Sequence, residues 1–115
     1  MFADAALAPA RVRRAPGEKL REALLELARG KAAIVSHSEK SWASITFAGA
    51  RYRQVLEFEG AEAIEAGELF IAFLPEHEFD LPGYLVADAT VTDVEHRLAP
   101  PLMRVTCELL LLEER

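Results

Sequence analysis

The sequence predicts an α+β fold: two αββ units forming a four-stranded antiparallel sheet with two helices on one face. Three observations carry this. Apolar residues recur with a helical period over residues 16–30 and 61–74, and with a period of two in the stretches that follow each. Glycine and proline punctuate the boundaries at Gly30, Gly60, Pro75, Pro82-Gly83 and Pro100-Pro101. The resulting order, helix–strand–strand taken twice, packs most economically as two hairpins in one sheet with the helices segregated to a single face. A chain of 115 residues supports one domain, and at 51% hydrophobic it has apolar surface enough for a core without a disulfide or metal staple.

Residues 1–15 read as a flexible basic arm, rich in alanine and carrying Arg11, Arg13 and Arg14; residues 16–115 read as the single α+β domain. Pro16 suits the first turn of a helix, where its missing N–H costs nothing. Leu20, Ala23, Leu24, Leu27 and Ala28 form one apolar face, and Gly30 is placed for a left-handed cap. From Lys31 the period becomes two. The pattern predicts a strand pair, with Ala48-Gly49-Ala50 as its connection and Tyr52, Gln54, Leu56 and Phe58 on one side of the second strand. Residues 61–74 predict a second helix, with Ala63, Ile64, Gly67, Phe70, Ile71 and Leu74 clustered and Glu62, Glu65 and Glu68 opposite. Leu69–Leu74 is also readable as a short strand, because brief apolar runs fit both periods. Residues 84–96 form a long alternating strand that sets Tyr84, Val86, Asp88, Thr90, Thr92 and Val94 on one face. Ala99-Pro100-Pro101 turns the chain, and Met103, Val105, Cys107, Leu109 and Leu111 line one side of the last strand.

The net charge of −6 is unevenly spread. Residues 1–53 hold ten Lys/Arg against five Asp/Glu, whereas residues 54–96 hold eleven Asp/Glu and neither Lys nor Arg. The acidic middle repels a phosphate backbone, so nucleic acid is disfavoured as a partner and any affinity falls to the basic arm. The basic half meets its natural counterpart in the acidic half, within one chain or between copies. Leu110 and Leu112 fall opposite the core set of the last strand, an apolar outer patch that predicts a homo-oligomer, a dimer, or a protein partner. The N-terminal residues lack the charge order of a secretory signal, the longest apolar run is far short of a membrane span, and the one cysteine excludes an internal disulfide. These features predict a cytoplasmic protein with no membrane contact; abundant alanine and arginine suggest a bacterial source.

The stretch PEHEFDLPG, residues 75–83, is the first candidate for chemistry. Pro75 ends a helix, and Leu81-Pro82-Gly83-Tyr84 has the residues of a type II turn. Glu76, Glu78 and Asp80 lie beyond a helix C-terminus, where the macrodipole disfavours negative charge, so basic groups from the first half are expected to hold them. His77 with Asp80 has no recognised metal-ligand spacing, and no metal is expected there. Asp88 interrupts an otherwise apolar strand; buried it would be a candidate base, and exposed it would bond a neighbouring threonine or arginine. His77, Asp80 and Asp88 are thus the catalytic candidates, joined on paper by Ser36 or Ser38, but no nucleophile elbow is present. Trp42 and Tyr52 beside Arg51 and Arg53 could form a stacking platform. No phosphate loop, dinucleotide fingerprint, zinc knuckle or haem motif occurs, and no cofactor is predicted. The sequence therefore favours a small non-catalytic α+β module that acts through self-association or protein partnering. The competing reading is a small enzyme or ligand binder with a cleft near residues 76–88.

Overall fold

The computed structural model describes residues 16–114, so the basic arm expected over residues 1–15 lies outside the described part. Helix α1 (Pro16–Leu27) starts at its proline and buries Leu20, Leu24 and Ala28 completely, with Ala23 and Leu27 against the same core. Its end differs from expectation in one respect. Arg29 as well as Gly30 adopts positive φ (59° and 69°). The Gly30 N–H donates to the Leu25 carbonyl at 3.0 Å and the Arg29 N–H to that of Glu26 at 2.9 Å. This is a Schellman cap with arginine in the left-handed position, a conformation that costs roughly 1–2 kcal/mol outside glycine and is offset by satisfying two orphan carbonyls.

Strands β1 (Ala32–Ala43) and β2 (Ala48–Glu59) form the first hairpin. The connection is Ser44–Phe47, not Ala48-Gly49-Ala50. The Ser44 N–H donates to the Phe47 carbonyl at 2.7 Å, and the Phe47 N–H donates to Ser44 Oγ at 3.1 Å, so a serine closes the turn locally. Gly49 lies inside β2, opposite Trp42 on one side and Leu112 on the other. A Cβ at Gly49 would overlap the Leu111 carbonyl. The glycine thus marks a close backbone approach, not a turn.

Helix α2 (Ala61–Phe73) follows and continues through a 3-10 turn at Leu74–Glu76, which settles the Leu69–Leu74 ambiguity as helix. The α-helix ends at Phe73, just before Pro75, as expected, and Pro75 occupies the first turn of the 3-10 segment, where no N–H is needed. Ala63, Ile64, Ala66, Gly67, Phe70 and Leu74 are buried. Gly67 is where the helix approaches the sheet most closely; a Cβ there would meet the Phe58 ring at 3.0 Å and Met103 Sδ at 3.1 Å.

Strands β3 (Tyr84–Leu98) and β4 (Pro101–Glu113) complete an antiparallel sheet of order β1-β2-β4-β3. The second strand of each αββ unit is therefore central and the first is an edge. One face carries Tyr52, Leu56 and Phe58 from β2 with Met103, Val105, Cys107, Leu109 and Leu111 from β4, all in the core under the two helices. The strands are long and the molecule measures 56 × 30 × 21 Å, so the β3–β4 hairpin runs beyond the helices and leaves Val94 and Leu98 exposed.

The expected alternation of β3 holds at its start and again from Asp93 on, and is inverted between. Register shifts between Val86 and Asp88, and again between Val91 and Asp93, each insert one residue. Each bulge moves the following side chains to the other face. Val86, Ala89, Val91 and Val94 pair with core-facing residues of β4, whereas Asp88, Thr90, Asp93 and Glu95 pair with outward-facing ones.

Gly67→Ala is expected to lower stability by about 1 kcal/mol in urea unfolding: the gain of about 1 kcal/mol in helix propensity is outweighed by about 1–3 kcal/mol of overpacking against the buried Phe58 ring. A stabilised Gly67→Ala variant would contradict the close approach. Burial pushes the Cys107 thiol up to about 12, with Glu108 adding to the shift, and pushes the Tyr52 phenol up to about 12, with Glu39 and Tyr84 adding. Ordinary values for these groups are 9.0 and 10.0. The folded chain therefore holds both protons more tightly than the unfolded chain. The associated stability is complete below about pH 9 and is lost as pH rises towards 12. The melting temperature should fall over that range, less steeply in Cys107→Val, and a disulfide reagent at pH 8 should label Cys107 only as fast as the chain unfolds.

Candidate functional site

The corner between α2 and β3 is built by two apolar anchors set among charges. Leu81 is buried and Phe79 half-buried against the core, and Glu78 and Asp80 alternate with them outward. The Phe79 ring meets the His77 imidazole edge-on, with centroids 4.5 Å apart. The expected type II turn is present: Gly83 has φ 90°, and the Tyr84 N–H donates to the Leu81 carbonyl at 2.9 Å. His77 and Asp80 share an open depression of about 450 Å³ whose floor includes Leu81, Tyr84 and Val86. A second hollow sets Asp80 across from Lys19 of α1. Among the described residues, none of Glu76, Glu78 and Asp80 is in an ion pair, so the basic groups expected to hold them are not seen doing so. No group of three or more metal-ligating side chains occurs among the described residues.

Asp88 is not part of this corner depression. The first β3 bulge turns it to the outer face, exposed, where the Thr90 hydroxyl donates to its Oδ1 at 3.4 Å. Of the three sequence candidates, the structure brings together His77 and Asp80 and sets Asp88 apart. His37 lies on β1 opposite Gln54, and His96 lies near the far end of β3 opposite Met103, so the histidines do not converge. Ser36 and Ser38 sit on β1, at the opposite edge of the sheet from Asp88. Trp42 and Tyr52 occupy opposite faces: Tyr52 is buried under α1 beside Gly17, whereas Trp42 lies outward with Gly49 and Arg51. The stacking platform is therefore not formed.

The larger feature is the sheet face that the helices leave bare. Along the strands its outward residues form cross-sheet rows. At one end Trp42, Gly49, Leu112 and Leu85 lie in register, with Phe47 of the turn beside Leu85 and Leu112 in a hollow of about 420 Å³. The next row is Lys40, Arg51, Leu110 and Asp88, and the one after it Ser38, Arg53, Glu108 and Thr90. Further on, Arg104 donates to Glu57 through Nε at 2.9 Å and Nη2 at 2.6 Å, and through Nη1 to Glu95 at 3.4 Å. The hydrogen bond to Glu57 raises the Arg104 pKa further. Lys40, Arg51 and Arg53, all on the β1–β2 half, make no ion pair among the described residues; nor do Asp93 and Glu108 on the other half. Apart from the paired Glu57 and Arg104, the face is thus apolar at one end and split lengthwise into a basic half and an acidic half. The sequence indicated Leu110 and Leu112. It did not reveal the lengthwise split, which depends on the strand order and on the β3 bulges.

No protein-family model matches the chain, and no curated protein matches it. Among solved structures it is similar in fold to a chain of a structure titled virion of native gene transfer agent (GTA) particle. The TM-score is 0.56 at 14% identity, over 87% of this chain and 92% of that one.

If the corner is a structural turn, replacing His77 and Asp80 together by alanine should leave the melting temperature within about 4 °C, as for exposed surface positions whose substitution changes stability by no more than about 0.5 kcal/mol. Zinc, manganese and nickel should give no stoichiometric heat at micromolar concentration. Tight metal binding abolished by the double substitution would make the corner a metal site.

Proposed function

We propose that the chain is a non-catalytic building block that works by protein–protein association through the open face of its sheet. The observation that carries this is the face itself. A four-stranded sheet has two faces, α1 and α2 cover one, and the other sets the exposed Leu85 and the half-buried Trp42 and Leu110 around the buried Leu112, beside Lys40, Arg51, Arg53, Asp93 and Glu108, which make no ion pair among the described residues. An antiparallel sheet tolerates water on one side, but a solvated face is ordinarily polar throughout, and contiguous apolar residues rimmed by charge mark an association surface. The fold likeness to a chain solved within a virion particle supports reading this chain, too, as a subunit of an assembly. The arginine-rich composition with its single cysteine fits a bacterial, cytoplasmic setting for that assembly.

The test is photocrosslinking in cells that make the protein. A photoreactive residue at Leu85, exposed on the open face, should give discrete protein adducts. The same residue at Glu65, exposed on α2, should give few. Absence of adducts at Leu85, or equal yields at both positions, would overturn the reading.

A further inference from the structure

We propose that the open face binds a second copy of this chain, sheet to sheet, about a two-fold axis running along the strands. The inference rests on the association role proposed above and names the partner. The argument is the arrangement of the rows. A two-fold along the strands lays β1 of one copy over β3 of the other, and β2 over β4. Lys40 then faces Asp88 of the partner subunit, and Arg53 faces the partner's Glu108. At the apolar end the half-buried Trp42 faces the exposed Leu85 of the partner subunit, with Leu112, already packed among its own neighbours, opposite the partner's Gly49. Even the internally paired row remains compatible, since Glu57 faces the partner's Arg104. The rotation of about 30° between packed sheets shifts each contact by a neighbour without changing which halves meet.

Other arrangements of two copies fit worse. With the axis across the strands each half meets its own kind, and Asp88 is brought over the partner's Glu95. Pairing through the sheet edges is obstructed, because β1 carries one register shift and β3 two, and bulged, charged edges resist strand addition. The size is adequate: four strands about 4.8 Å apart and about 12 residues long, at about 3.3 Å each, project an area of about 570 Å² per copy, near the lower bound for a stable interface. Packed sheets lie about 10 Å apart, a gap that an arginine and a glutamate extended towards each other span.

The test uses two variants of the full chain, each with substitutions at exposed or half-exposed positions. In Lys40→Glu/Arg53→Glu both halves of the face are acidic, and in Asp88→Lys/Glu108→Lys both are basic. By light scattering at high micromolar concentration the unsubstituted chain should have twice the mass of one chain. Each variant alone should be a folded monomer by circular dichroism, its dimer dissociation constant raised on the order of a hundredfold or more by like charges. An equimolar mixture should recover a dimer containing one copy of each. Variants that stay dimeric alone, or folded variants whose mixture stays monomeric, would overturn the axis. An unsubstituted chain that remains monomeric would overturn self-association, while adducts at Leu85 to other proteins would leave the broader association role standing.

Discussion

Two helices are enough to cover one face of a four-stranded sheet and no more. The rest of the molecule follows from that constraint. Leu20 and Leu24 of α1, Phe70 of α2 and Leu74 of the 3-10 turn converge on the central strands, where Leu56, Phe58, Val105, Cys107 and Leu109 are fully buried. At Gly67 the second helix comes so close that even a Cβ would crowd the Phe58 ring and the Met103 sulfur. The contiguous core is on that side. The opposite side has only side chains lying against one another within the sheet, such as Thr106, shielded by its neighbours, whose carbonyl accepts from the Thr92 hydroxyl at 3.4 Å.

The charge distribution along the chain acquires a spatial meaning only through the strand order. Lys40, Arg51 and Arg53 come from the basic first half, whereas Asp88 and Asp93 come from the acidic middle and Glu108 from the last strand. Because β2 and β4 are central and β1 and β3 are edges, the chain's N-terminal hairpin becomes one half of the sheet and its C-terminal hairpin the other. A linear imbalance thus becomes a division of one surface into two facing fields. Fields of opposite sign side by side favour a partner with the reversed arrangement and disfavour like-charged contacts.

Much of the core is legible in the sequence. The 3.6-residue period marked Leu20, Leu24, Ile64 and Phe70, and the two-residue period marked Leu56, Phe58 and the inward residues of β4; all are buried. The errors have specific physical causes. Gly49 resembled a turn glycine, but a turn can also be closed by a serine hydroxyl, and the glycine served backbone proximity instead. The bulges of β3 leave no mark on its alternation, so the pattern puts Asp88 and Thr90 with Val86 although they face outward. Arg29 took a left-handed position because the Schellman hydrogen bonds counted for more than its intrinsic preference. The layout of the open face is the least legible part, because it is a property of four strands in register and no single segment contains it.

Trp42 is the only tryptophan and lies on the open face, so it reports on the central claim directly. Its fluorescence should be followed over a dilution series from high micromolar to nanomolar concentration, with iodide quenching at each step. If the open face is the surface of association, the emission at high concentration is blue-shifted and poorly quenched. On dilution it moves to longer wavelength and becomes quenchable, in step with the fall in mass. An associated chain in which Trp42 stays as quenchable as in the dilute monomer would contradict the account, because the contact would then lie elsewhere.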